Sequence, residues 1–315
     1  MNADRIAEAG HLRSFATKAT DPDPLSRDAG LRFLALDGFE LGGRIFEPVV
    51  GGHPKTVVAF VGGGGVPARR YGRLARFLAS NEIPVLTFDY RGIGWSRPRQ
   101  LRGFRATAQD WGSSDVGGAI AEVARRYPAA QTAVISHSIG GLLLGAAPNT
   151  SIVRQFVFLC PHTGYWGDYR ARFRFPMFAL WHMVMPVLTH AVGYFPANTL
   201  RLGEDIPKDV ALQWSRRRRA ELSKTYRTSE ILTSFAGAAG PALLITMSDD
   251  GFATAKGAER LITLYENLVP QRRLISPDLI GVPKIGHFGF FRGERAADLW
   301  PIVVEFLYRG GPGIQ

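Results

Sequence analysis

The sequence predicts an α/β fold: a mostly parallel sheet with helices on both faces and an inserted helical cap. Three observations predict it. Short runs of β-branched and apolar residues alternate with helical apolar stripes, the pattern of strand–helix units that build a parallel sheet. The chain's unusual motifs (a glycine run, an Asp89 turn, a Ser138 turn and Asp249-Asp250) all fall at the carboxyl ends of expected strands, where such sheets place their chemistry. Residues 165–235 break the alternation with aromatics and prolines and are too long for a plain loop.

The elements follow in order. Residues 31–36 and 39–46 flank Asp37-Gly38 and read as an antiparallel hairpin. Thr56–Val61 is a strand ending in Gly62-Gly63-Gly64-Gly65. Tyr71, Leu74, Ala75 and Leu78 share one helical face. Strand 84–88 leads into Asp89-Tyr90-Arg91-Gly92-Ile93-Gly94-Trp95-Ser96, and the helix marked by Val116, Ile120, Val123, Ala124 and Tyr127 stops at Pro128. Thr132, Ala133, Val134 and Ile135 form a strand; Ile139, Leu142, Leu143 and Ala146 form the packed face of the helix after it. Strand 155–159 ends at Pro161. Beyond the cap come strand 242–247, a helical stripe (Ala258, Leu261, Ile262, Tyr265, Leu268) and strand 272–275. Leu299, Trp300, Val303, Val304 and Leu307 mark a final helix, with Pro301 tolerable in its first turn. The expected division is a loose tail over 1–27, a core from 28–164 and 236–315, and a helical cap over 165–235.

Ser136-His137-Ser138-Ile139-Gly140 joins a strand to a helix through a tight small-x-Ser-x-small turn. Such a turn holds the central hydroxyl clear of the sheet and sets the next N–H at a helix start. A serine hydroxyl needs a base, usually a histidine oriented by a carboxylate. His287 is the histidine placed for this, in the Gly-flanked loop Lys284-Ile285-Gly286-His287-Phe288-Gly289 after all the strands. Asp249 and Asp250 follow strand 242–247; Asp250 is preferred as the acid, with Asp249 expected to cap the next helix. The oxyanion donors are expected to be the N–H of Ile139 and one from the glycine loop, Val66 or Gly65. His137 is expected to turn its side chain away from that of Ser138, although it stands beside the substrate pocket. That pocket is read as Gly65, His137, Trp166, Phe178 and Trp181, a lining for an apolar moiety of a small-molecule acyl substrate.

Composition limits the other readings. With 315 residues, 46% of them hydrophobic, the chain can bury a large core. The single cysteine, Cys160, follows an apolar run and reads as a buried small hydrophobe. A net charge of +11 invites anionic partners, but the arginines are scattered and no nucleic-acid motif accompanies them. The one dense run, Arg216, Arg217, Arg218 and Arg219, reads as a solvated face or a weak contact with an anionic surface. Gly62-x-Gly64 lacks the spacing and the Gly-Lys-Ser/Thr ending of a nucleotide loop, and no metal-ligand spacing occurs, so no cofactor or metal is expected. The most apolar stretch, 177–185, is too short to span a membrane, and no secretory h-region opens the chain, so a cytoplasmic location is expected.

The sequence resembles the α/β-hydrolase superfamily, and more narrowly a bacterial group of predicted serine hydrolases of undefined substrate. The resemblance covers about residues 30–309. It rests on Gly65-Val66-Pro67, residues 86–94 with Ser96-Arg97-Pro98, the turn around Ser138, Gly164-Tyr165-Trp166, Asp249-Asp250 and residues 285–292. It implies the hydrolase fold, the Ser138-Asp250-His287 positions and a cap after the sixth strand. Two departures stand out: Ser136 occupies a position where glycine is usual, and no histidine precedes Gly65. Three activities fit: a serine hydrolase acting on an ester, thioester or amide, an acyltransferase on the same triad, or a non-catalytic scaffold that binds a ligand or partner.

Overall fold

A computed structural model describes residues 26–49, 52–216 and 234–309. Eight strands form one sheet: β1 (Ser26–Leu34), β2 (Glu40–Pro48), β3 (Thr56–Val61), β4 (Val85–Phe88), β5 (Gln131–His137), β6 (Val153–Leu159), β9 (Ala239–Met247) and β10 (Asn267–Ile275). Their order is β1-β2-β4-β3-β5-β6-β9-β10. The first two pairings, β1 with β2 and β2 with β4, are antiparallel; the rest are parallel. This is the α/β-hydrolase architecture.

The central strands are apolar throughout because both faces are covered. Val57, Ala59 and Val61 of β3 pack on one face with Val134 of β5 and Phe156 and Phe158 of β6. Their alternates Val58, Phe60, Ala133, Ile135, Val157 and Leu159 pack on the other. Helices α2 (Gly117–Arg126) and α3 (Gly140–Leu144) cover the first face, together with α7 (Ala255–Ile262). Helices α1 (Gly72–Ser80) and α8 (Ala296–Arg309) cover the second.

Three details differ from the expected elements. Helix α7 ends at Ile262: Tyr265 lies in the turn after it and Leu268 in β10. Both are buried, so core contact rather than helical continuity keeps them apolar. Pro301 is the sixth residue of α8, not a first-turn residue. Its ring is buried, and that packing offsets the lost helical hydrogen bond. Asp249 does not cap α7; Thr254 does, accepting from the Gly257 N–H.

Between β6 and β9 the chain leaves the sheet. It forms α4 (Ala171–Ala179), a π-helical turn (Leu180–Val184), α5 (Met185–Val192), a two-stranded ribbon of β7 (Tyr194–Phe195) with β8 (Ile206–Pro207), and α6 (Lys208–Ser215). The helical run from Ala171 to Val192 is continuous over 22 residues. By length and composition it could cross a membrane, which corrects the shorter apolar stretch read from the sequence. Its prolines do not stop it: Pro176 lies inside α4, and Pro186 lies in the first turn of α5, just after the π turn. One side packs on α6, where His182 Nδ1–H donates to the Ser215 carbonyl (2.6 Å). The other exposes Phe175, Met183, Val184 and Val187. Arg216 follows α6; Arg217, Arg218 and Arg219 lie outside the described residues, as does the tail up to residue 25.

Candidate active site

Ser138 stands between β5 and α3 at φ +58°, left-handed backbone that costs a non-glycine residue about 1–3 kcal/mol. Small neighbours make the turn feasible. A Cβ at Gly140 would lie 2.5 Å from the Gly62 carbonyl oxygen. Ser136 replaces the usual glycine without a buried polar cost, because its hydroxyl donates to the Val157 carbonyl (3.3 Å).

The structure brings Ser138, His287 and Asp250 together. His287 Nε2 lies 2.9 Å from Ser138 Oγ, and His287 Nδ1 lies 2.7 Å from Asp250 Oδ2. A carboxylate accepts only, so Nδ1 carries the proton and Nε2 presents a lone pair to the serine. The other Asp250 oxygen accepts from the Phe252 and Ala253 N–H groups (2.8 and 3.1 Å). Burial raises the Asp250 pKa, but His287 and these N–H groups outweigh it and hold the carboxyl down at about 2. The adjacent aspartate has a different task. Asp249 accepts from the N–H groups of Ile285 and Gly286 (2.9 Å each), pinning the loop that carries His287.

His137 is not a pocket residue. It is fully buried, and its ring packs on Phe291 and Tyr71 behind His287. It belongs to a chain of bonds: the Gly63 N–H donates to Tyr71 Oη (2.8 Å), Tyr71 Oη to His137 Nδ1 (3.0 Å), and His137 Nε2–H to the His287 carbonyl (3.2 Å). Tyr90 Oη donates to the Gly62 carbonyl (2.8 Å), so the glycine loop is held from two sides. Burial, reinforced by His287, holds the His137 pKa well below the ordinary histidine value.

The Ile139 N–H has no acceptor among the described residues, as an oxyanion donor requires. Val66 does not fit that role: its N–H closes a turn onto the Gly63 carbonyl (3.2 Å). The Gly64 and Gly65 N–H groups have no acceptor among the described residues, which leaves the alternative glycine, Gly65, and adds Gly64. Gly64 faces Ile139 and the ring of Trp214, which would lie 3.2 and 3.5 Å from a Cβ there.

Sequence reasoning missed two features. His162 Nε2 also lies 2.9 Å from Ser138 Oγ. Its only sequence signal is its place three residues beyond β6, at a strand end. Trp214, one of the aromatics of 165–235, stands over the glycine loop and packs on Trp181 (5.6 Å between centroids). Trp166 and Phe178 are half-buried and meet edge to face (4.9 Å). Phe252 and Phe288 flank His287 at 5.7 and 5.0 Å.

Cys160 is buried beside Asp250. The ligand atoms of Cys160, Asp250 and His287 lie within 4.8 Å of one another. Burial, with Asp250 adding to it, raises the thiol pKa well above its ordinary value, so the sulfur stays protonated and is a poor metal ligand. The hydrogen bonds to the acid come from His287, Phe252 and Ala253.

Residues 52–262 match the family described as serine aminopeptidase, S33. No curated protein matches the sequence. Among solved structures, a hypothetical protein from Pseudomonas aeruginosa superposes with a TM-score of 0.62 at 16% identity, covering 93% of this chain and 96% of that one. An esterase from Pyrococcus furiosus gives 0.57 at 17% identity, with 90% of each chain covered. An acylaminoacyl peptidase from Pyrococcus horikoshii gives 0.56 at 18% identity over 92% of this chain, which spans 42% of the peptidase's length. At these identities the superpositions establish the fold.

Proposed function

From the premise that this chain belongs to the serine aminopeptidase, S33, family of α/β-hydrolases, we propose that it cleaves an ester, thioester or amide through an acyl-enzyme on Ser138. The observation that carries this reading is the continuous chain from Ser138 Oγ through His287 to Asp250, at 2.9 and 2.7 Å.

In the proposed reaction, the Oγ–H proton passes to His287 Nε2 as Oγ bonds the substrate carbonyl carbon and the carbonyl π pair moves onto its oxygen. The N–H of Ile139 and that of Gly64 or Gly65 receive the oxyanion. As the intermediate collapses, the bond to the leaving group breaks and that group takes the proton from His287. Water then repeats the sequence: it gives a proton to His287, attacks the acyl carbon, and Oγ departs with the proton. Asp250 keeps its charge throughout and holds the imidazole in the required tautomer.

The acyl or alkyl part of the substrate is assigned to the aromatic side chains of the segment between β6 and β9, with Trp166, Phe178, Trp181 and Trp214 as its contacts. A mostly apolar lining with few polar groups is what a hydrophobic moiety needs. The test is fluorophosphonate labelling followed by mapping of the adduct. A label on Ser138 that vanishes in Ser138→Ala is the expected result; a label that persists in that variant rejects the nucleophile.

A further inference from the structure

Building on the reading of Ser138 as nucleophile, we propose that His162 is a second catalytic histidine that acts as a hydrogen-bond donor to Ser138 Oγ. The serine oxygen stands between two imidazoles, with His287 Nε2 and His162 Nε2 each at 2.9 Å. The two rings differ in what occupies their other nitrogen. His287 Nδ1 faces the Asp250 carboxylate and must carry a proton. His162 Nδ1 accepts the Gly164 N–H (2.9 Å) and must present a lone pair. In a neutral ring the single proton then sits on Nε2, pointing at Oγ. One imidazole takes the serine proton and the other donates to the same oxygen.

The backbone places His162 for this. Cys160 adopts φ +47° at the end of β6, turning the chain back over the end of β5, and Gly164 at φ +77° brings its N–H onto the ring. The Tyr169 ring packs edge-on against the imidazole, and His162 itself is 6% exposed.

The four directions around Oγ are thereby assigned: Cβ, the proton shared with His287, a lone pair receiving His162, and a lone pair for the electrophile. When the proton leaves for His287, negative charge grows on Oγ, and the His162 Nε2–H stabilises it. The same bond favours Oγ as the departing oxygen when the acyl-enzyme breaks down. The His162 proton stays on its ring throughout, so the step adds no proton transfer to the balance.

The test is the rate of fluorophosphonate labelling, in which Oγ–P forms, P–F breaks, fluoride leaves and the serine proton goes to His287. Wild type, His162→Leu, His162→Asn and His162→Gln are compared across pH, with melting temperatures recorded. The Gln amide N–H reaches about where Nε2–H lies; the Asn amide is too short, and it serves as the non-donor should the Leu variant fail to fold. Expected is labelling slowed about 100- to 1000-fold in Leu and Asn, the range for the loss of one oxyanion donor. Gln should recover most of the rate, and the acid limb of the pH profile should not move, because His287 remains the base. Wild-type rates in Leu and Asn overturn the proposal. So does a Gln variant as slow as Asn at equal melting temperature, or an acid limb that changes shape, which would make His162 a base. Absence of a label on wild-type Ser138 overturns the proposed function itself, and this inference with it.

Discussion

Phe156 and Phe175 are one residue type in two opposite settings. Phe156, in β6, has no exposed surface and touches neighbours on a sheet covered from both sides. Phe175, in α4, leaves 77% of its surface to solvent. In the sheet an apolar residue reports on the core. In the excursion between β6 and β9 it can report either way: Met185, Phe195, Ala197 and Ala211 form a small buried cluster, while Phe175 faces out.

The largest expected effects lie at the strand ends. If the chemistry is confined there, Ser138→Ala or His287→Ala should lower kcat by about 10⁴- to 10⁶-fold, while melting temperatures stay near wild type. A single alanine in the excursion that costs as much would erase the distinction between the two regions. Core packing comes next. Phe156→Ala should cost about 3–5 kcal/mol in urea unfolding, against less than about 0.5 kcal/mol for Phe175→Ala. A large loss at Phe175 would mean that its face is covered in the folded protein in solution.

Acidification sharpens the contrast more gently. The folded protein disfavours protonated His137, so the unfolded chain binds the extra proton first, below its ordinary value of about 6.5. Stability present above that pH is lost as pH falls, at up to about 1.4 kcal/mol per unit for this group. The Asp250 contribution, with its carboxyl held at about 2, persists until pH falls below about 4. Unfolding free energies of wild type and His137→Gln at pH 7.5, 6 and 5 should differ in slope; parallel lines would place the acid sensitivity elsewhere. The smallest effect is the most local. Each added methylene in an ester series should raise kcat/KM about fourfold, from about 0.8 kcal/mol of burial, until the pocket fills, and Trp181→Ala or Phe178→Ala should flatten that rise. Equal constants along the series would remove the excursion from substrate recognition.

The sheet was legible because parallel strands covered on both faces read as unbroken apolar runs, as Thr56–Val61 does, with all six residues buried. Ser138, Asp250 and His287 were legible as positions because each follows a strand in a motif with its own backbone logic. Less was legible where two loops meet. Of the two candidate donors, Val66 and Gly65, nothing in the sequence reports that the Val66 N–H closes a turn. Asp249 was expected to cap a helix, and its real partners, Ile285 and Gly286, lie 36 and 37 residues away. His162 was hidden for the same reason. Its contact with Ser138 depends on the left-handed turn at Cys160, a conformation that a cysteine does not advertise. The helix through Pro176 and Pro186 escaped because proline normally marks an end, and here the helical run continues past both.

The buried chain from Gly63 through Tyr71 and His137 to the His287 carbonyl has a fixed polarity. One terminus is a backbone N–H, which can only give, and the other a backbone carbonyl, which can only receive. No concerted flip of the two side chains between them yields a second arrangement with every bond kept. The chain is therefore a strut with one setting and no reversed state of equal energy. The glycine loop and the loop that bears His287 are braced against each other by it. A displacement of either must break a bond that no water replaces cheaply in so dry a place. The distance across the site is set before any substrate arrives.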